Sequence, residues 1–114
     1  LAFAPSMLPA RSWQRMMGAL DKHFGDNASL DAVTAEKITS YLVANAGDVG
    51  GQRYSSKLLK GVATGAAPQR ITELPKWVSE HRKVPDWEWR HKEVRTKANC
   101  VACHTAAEQG YYEE

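Results

Sequence analysis

The chain has 114 residues and a net charge of +2, from 15 Lys/Arg against 13 Asp/Glu. That length makes one domain or two very small lobes around a limited core, and so even a charge balance carries no nucleic-acid signature. No apolar run reaches the roughly 18 residues that a membrane-spanning helix needs.

Residues 1–11 contain Pro5 and Pro9 and read as an extended lead-in. Its opening Leu1-Ala2-Phe3-Ala4-Pro5 has neither the basic region nor the long apolar region of an export signal. A helix is expected from Ser12 as cap, with Trp13, Met16, Met17, Leu20 and Phe24 on one apolar face. Gly25 is placed to stop it in a left-handed cap. His23 lies in the last turn of that reading, either as a cation favoured at a helix C-terminus or as a metal ligand. A second helix is predicted from about Asp31 to Asn45, capped by Asp31 or Ser29, with Val33, Ile38, Tyr41 and Leu42 as its apolar side and Gly47 after its end. The two helices make a hairpin, and residues 1–46 are read as an N-terminal helical lobe.

Residues 47–69 hold Gly47, Gly50, Gly51, Gly61 and Gly65, with Pro68 near the end. They read as a connector, with one helical turn around Tyr54–Lys60 whose Leu58 and Leu59 pack inward. Residues 70–114 are read as a second small lobe. Thr72 opens its first helix, and Pro75 suits a first turn. Trp77 and His81, four apart, share a face. Pro85 ends that helix, and a short helix or turn follows over Asp86–His91. Trp77, Trp87 and Trp89 fall within 13 residues. Residues 70–97 carry eight Lys/Arg against five Asp/Glu. Glu108, Glu113 and Glu114 make the tail acidic. No convincing alternating strand is present. The expected fold is therefore all-α with much irregular structure.

The chemistry is concentrated in Cys100-Val101-Ala102-Cys103-His104, which contains both cysteines of the chain. Thiols three apart with an imidazole next is the pattern for covalent haem attachment. Residues i and i+3 lie on one face of a helical turn, so both sulfurs reach the two vinyl groups of one porphyrin. His104 then supplies an axial nitrogen to the iron. The rival readings are weaker. A structural zinc site needs four ligands, and the remaining histidines are scattered. A thioredoxin-type pair needs a preceding strand, which Arg95-Thr96-Lys97-Ala98-Asn99 does not provide. Trp77, Trp87 and Trp89 would wall the porphyrin. The sixth ligand stays open among His23, His81, His91 and the methionines. A second His gives a closed, low-potential electron-transfer haem and a Met raises the potential. An empty face would make a ligand-binding (O₂ or NO) or peroxidatic haem protein.

Pro9-Ala10-Arg11-Ser12-Trp13, then Leu20-Asp21-Lys22-His23-Phe24-Gly25-Asp26-Asn27-Ala28, then Tyr41-Leu42, resemble the dihaem cytochrome c family. So do Arg70-Ile71-Thr72-Glu73, His81 and the run Asn99 to Gly110. The resemblance covers nearly the whole chain. It implies an electron carrier of the periplasm, not an enzyme, with bis-histidine haems. It also implies partners: an oxygen-binding monohaem cytochrome of the sphaeroides haem protein type, and a membrane b-type cytochrome. By the same resemblance His81 is the distal ligand to the haem on Cys100 and Cys103, with His91 as the fallback, and His23 is the distal ligand of a first haem. The family carries a first Cys-x-x-Cys-His just ahead of its Ala-Phe-Ala-Pro-like stretch, about where this chain begins. The expectation is one haem c bonded to these 114 residues, in mature or truncated material of an exported protein.

Overall fold

A computed structural model describes residues 3–49, 57–63, 65–109 and 112. Among them there are four complete α-helices, a helical stretch at 57–58, several 3₁₀ turns, and no strand. The helices are α1 (Ala10–Met17), α2 (Ala32–Ala44), α3 (Pro75–His81) and α4 (Asp86–Trp89). The fold is all-α with much irregular chain.

The cap of α1 differs from expectation. The helix starts at Ala10, two residues before Ser12, with Pro9 in extended conformation as its N-cap residue. The first free N–H is satisfied from a distance: Ala10 N–H donates to the Asp48 carboxylate at 2.8 Å. The same carboxylate sits 3.7 Å from the Arg11 guanidinium. Ser12 is fully buried instead, and its hydroxyl has no hydrogen-bond partner among the described residues. A carboxylate 38 positions away has replaced the local hydroxyl, and Arg11 extends the tie by donating to the carbonyls of Ala63 and Ala66.

α1 also ends early, at Met17, and Leu20–Lys22 forms a separate 3₁₀ turn. His23 and Asp26 then exchange both backbone hydrogen bonds, at 2.8 and 2.9 Å. Phe24 and Gly25 between them have φ of 49° and 89°. That is a two-residue turn of the mirror-image type. It carries Phe24 out of the apolar stripe expected for α1. The Phe24 ring is covered on one side by the Arg70 guanidinium, 4.5 Å from its centroid. His23 consequently stands in this turn and not in a helical last turn.

α2 follows the sequence closely. Asp31 is its cap, its Oδ2 accepting from Thr34 N–H at 3.0 Å; these hydrogen bonds hold the Asp31 carboxyl below its ordinary pKa. Its packing departs from expectation. Only Leu42 of the predicted apolar side packs against the core, while Val33 and Tyr41 are 63% and 61% exposed. Ile38 is also exposed. The core lies elsewhere: Met7, Leu8 and Trp13 pack with Ala46, Leu58, Ile71, Leu74 and Trp77. Leu58 and Leu59 point inward as expected, and Tyr54 of that turn lies outside the described residues. Ile71–Glu73 forms a 3₁₀ turn, so α3 begins at Pro75 and not at Thr72.

Gly47 is where two segments touch. Its N–H donates to the Leu8 carbonyl at 3.0 Å, and a Cβ built there collides with the Ser6 carbonyl oxygen and the Leu59 side chain. Neither neighbour can withdraw without moving the Pro5–Met7 turn or the core. Gly47→Ala is expected to destabilise the fold by about 1–3 kcal/mol, as overpacking does. A thermal melt of the haem-loaded protein checks it, and an unchanged midpoint would show that the approach is looser than described.

Candidate haem site

The motif adopts a 3₁₀ turn over Cys100–Ala102, closed by Cys103 N–H donating to the Cys100 carbonyl at 3.2 Å. In a 3₁₀ turn residues i and i+3 eclipse one another. Both sulfurs accordingly face one space, and His104 N–H also donates to the Cys100 carbonyl, at 2.7 Å. Asn99 pins the turn to the preceding loop through its side-chain amide, which donates to the carbonyls of Val94 at 2.9 Å and Glu93 at 3.3 Å. Burial pushes the Cys100 thiol above its ordinary pKa.

Opposite the motif stands α3. Pro75 supplies its pre-set first position, and the i,i+4 relation of Trp77 and His81 is realised as a stack. Their rings are 4.2 Å apart and 14° from parallel. His81 Nδ1 lies 2.7 Å from the Trp77 carbonyl oxygen. That oxygen can only accept, so Nδ1 carries the hydrogen and Nε2 keeps its lone pair. From α4, Trp89 adds a third ring, 5.7 Å from Trp77 and 6.1 Å from His81.

Between the two halves lies a cavity of about 640 Å³, within the usual range for a small-molecule site. Trp77, His81 and Trp89 line it together with Cys100, Cys103 and His104, and the buried Met7, Leu58 and Ile71 form its inner lining. Lys57, Lys76 and Lys97 also line it. Lys76 is paired with Glu80 at 2.7 Å, and that hydrogen bond lowers the Glu80 carboxyl. Neither Lys57 nor Lys97 has an ion pair among the described residues.

The His81 and His104 rings face each other at 6.1 Å between centroids, with their planes 73° apart. Two imidazoles on opposite sides of one metal, each at a bond length of about 2 Å, have centroids roughly 6 Å apart. One metal ion bonded to both rings would fit that spacing.

A family model described as dihaem cytochrome c matches residues 1–112. The chain belongs to the dihaem cytochrome c family. Solved structures agree. A diheme cytochrome c from Rhodobacter sphaeroides is 42% identical with a TM-score of 0.82, over 93% of this chain and 82% of that one. Another structure from that organism gives 40% and 0.78, over 96% and 84%. A diheme cytochrome type c from Shewanella baltica OS155 gives 30% and 0.78, over 99% and 77%. No curated protein matches at comparable significance.

Haem c is what this family's proteins hold, and the residues lining the cavity suit it: paired thiols, two facing imidazoles, tryptophan walls. The other residues singled out from the sequence lie apart. Trp87 is 63% exposed and does not line the cavity; two positions along a helix turn a side chain by about 200°, so Trp87 and Trp89 cannot both face it. His91 is exposed, and its Nδ1 accepts from Glu93 N–H at 3.1 Å. His23 stands in its own turn, edge-on to Phe24 at 4.6 Å, and is not among the lining residues.

Tyr112 was not singled out from the sequence. Its ring is 5.6 Å from that of His104, and its hydroxyl is 3.9 Å from Met7 sulfur. A tyrosine pair inside an acidic tail was the available signal.

Proposed function

We propose that this dihaem cytochrome c family member is a periplasmic electron carrier whose haem is bonded through Cys100 and Cys103 and held between His104 and His81. The observation that carries this reading is the facing imidazole pair at 6.1 Å inside the cavity that both thiols line. When bound, haem supplies a one-electron ferric/ferrous couple. The chain's own residues do the rest. The Trp77 carbonyl fixes the tautomer of His81 and anchors its ring. Trp77 and Trp89 exclude water from one wall. Two imidazoles, in place of an imidazole and a thioether, put the couple at low potential.

Covalent c-type haem is attached outside the cytoplasm, which supports the periplasmic placement. No helix among the described residues is long and apolar enough to cross a membrane. The partners we propose are an oxygen-binding monohaem cytochrome of the sphaeroides haem protein type and a membrane b-type cytochrome. A second haem, as the family name implies, would lie near His23 and use it as ligand. The exposed Phe24, Val33 and Tyr41 supply apolar surface for it. We propose residues 1–46 as the part that packs on that haem, 47–69 as a connector, and 70–114 as the part that carries the covalent haem. These 114 residues contain only the two cysteines of one attachment site.

The test is spectroscopic. The haem attached at Cys100 and Cys103 should be six-coordinate and low-spin in both redox states and should not take up CO. A high-spin ferrous haem that binds CO would replace this reading with the open-face one. Lys57 and Lys97 line the cavity with no ion pair among the described residues, so an electron acceptor with an acidic face should be steered to it. Stopped-flow transfer to such a cytochrome should slow at least about tenfold as salt is raised from low to physiological strength. A salt-independent rate would remove the steering.

A further inference from the structure

We propose that Trp77 is a positioning residue that sets the rotation of the His81 imidazole about its bond to iron, and thereby the near-perpendicular arrangement of the two axial rings. The proposal rests on His81 and His104 being the axial pair.

Two contacts act on the same ring. The hydrogen bond from Nδ1 to the Trp77 carbonyl fixes the tautomer and anchors one edge of the imidazole. One anchored edge still lets the ring swing about the line through that contact. The Trp77 indole removes this freedom. It lies 4.2 Å from the imidazole and within 14° of parallel, and it is itself held, being only 9% exposed and part of the central core. Trp89 meets His81 at a tilt of 43°, so it does not define the plane. The plane so fixed makes 73° with that of His104. The His104 plane has its own neighbour, Tyr112 at 62° to it.

The angle has an electronic consequence. Each axial imidazole donates π density into one of two iron d orbitals, the one perpendicular to its ring. Parallel rings both act on the same orbital and split the pair. Rings near a right angle act on one each and leave the pair nearly degenerate. In ferric low-spin haem that near-degeneracy appears in the electron paramagnetic resonance spectrum as one feature at unusually large g. A split pair gives a rhombic spectrum with all principal g values resolved. Orientation of an axial ligand by its outer neighbours is thus a lever on the redox centre.

The experiment uses the haem-loaded protein, wild type and Trp77→Leu, Trp77→Met and Trp77→Phe variants, with low-temperature resonance spectra and midpoint potentials for each. Met keeps flexible apolar bulk, so it serves where Leu does not fold. The wild type should show the large-g feature. Phe should keep it, because its ring still stacks. Leu and Met should stay low-spin, because the backbone carbonyl still holds His81, but their spectra should move toward the rhombic form and their potentials should shift with them.

A wild-type spectrum that is already rhombic overturns the proposal. So does a Leu or Met spectrum identical to wild type. So does a Phe spectrum as altered as the aliphatic ones, since that would make filled volume, and not a stacked plane, the cause. A high-spin wild type would instead defeat the axial pair itself, which separates the two failures.

Discussion

His81→Ala should convert the haem on Cys100 and Cys103 from six-coordinate and low-spin to five-coordinate and high-spin, with ready CO binding to the ferrous form. Among the described residues nothing is placed to take over cleanly. His91 is exposed and spends its Nδ1 on the Glu93 N–H, so its neutral ring carries the hydrogen on Nε2. His23 sits in a separate turn beside Phe24. Met7 does line the cavity; if its thioether bound instead, the haem would stay low-spin but the potential would rise markedly. Loss of an imidazole raises the potential in either case, because the ferric state loses a strong donor. The void left against Trp77 is imidazole-shaped, so added imidazole should restore the low-spin spectrum. His91→Ala is the matched control and should change nothing. An unaltered low-spin, CO-inert spectrum in His81→Ala at an unchanged potential would sink the assignment.

Removing both attachment sulfurs, with Cys100→Ser and Cys103→Ser together, should leave a chain that does not keep this fold without haem. The reason is one of magnitude. The site is a space of about 640 Å³ that opens to solvent, with Met7, Leu58, Ile71 and Trp77 of the core among its lining. A porphyrin seated there would cover apolar surface at about 25 cal/mol per Å², so each 200 Å² or so covered contributes about 5 kcal/mol. A domain of this size has only about 5–15 kcal/mol of stability in total. Water fills the space when haem is missing, and the loss of that one contribution is then decisive. Circular dichroism of the haem-free double variant should show reduced helix and no cooperative thermal transition. Each single variant should hold haem through the remaining thioether and His104, and should melt. A double variant that melts cooperatively within a few degrees of the holoprotein would mean that the cavity closes on itself and that haem is not part of the core.

The two helices of the hairpin differ in how far local signals determine them. α2 has a strong local cap in Asp31 and no internal glycine, and its ends lie within a residue or two of expectation. α1 was expected to run to Phe24, but Gly18 and the unusual backbone of Ala19 end it at Met17. Its cap was invisible because Asp48 belongs to the far side of α2. The apolar stripe on α2 was real, yet Val33 and Tyr41 stay exposed. Periodicity reports that a face is apolar and does not report what covers it.

What the amino-acid sequence determined alone is short-range chemistry. The three-residue spacing of Cys100 and Cys103, the imidazole beside them, and the four-residue spacing that stacks Trp77 on His81 all follow from helical geometry within one turn. Tertiary structure decided which histidine faces His104 and which tryptophans line the cavity. It also brought Met7 and Tyr112 to the site. Those outcomes depend on how distant turns bring segments together around a shared volume, and a side chain's facing there is set by packing across many tens of residues rather than by its neighbours along the chain.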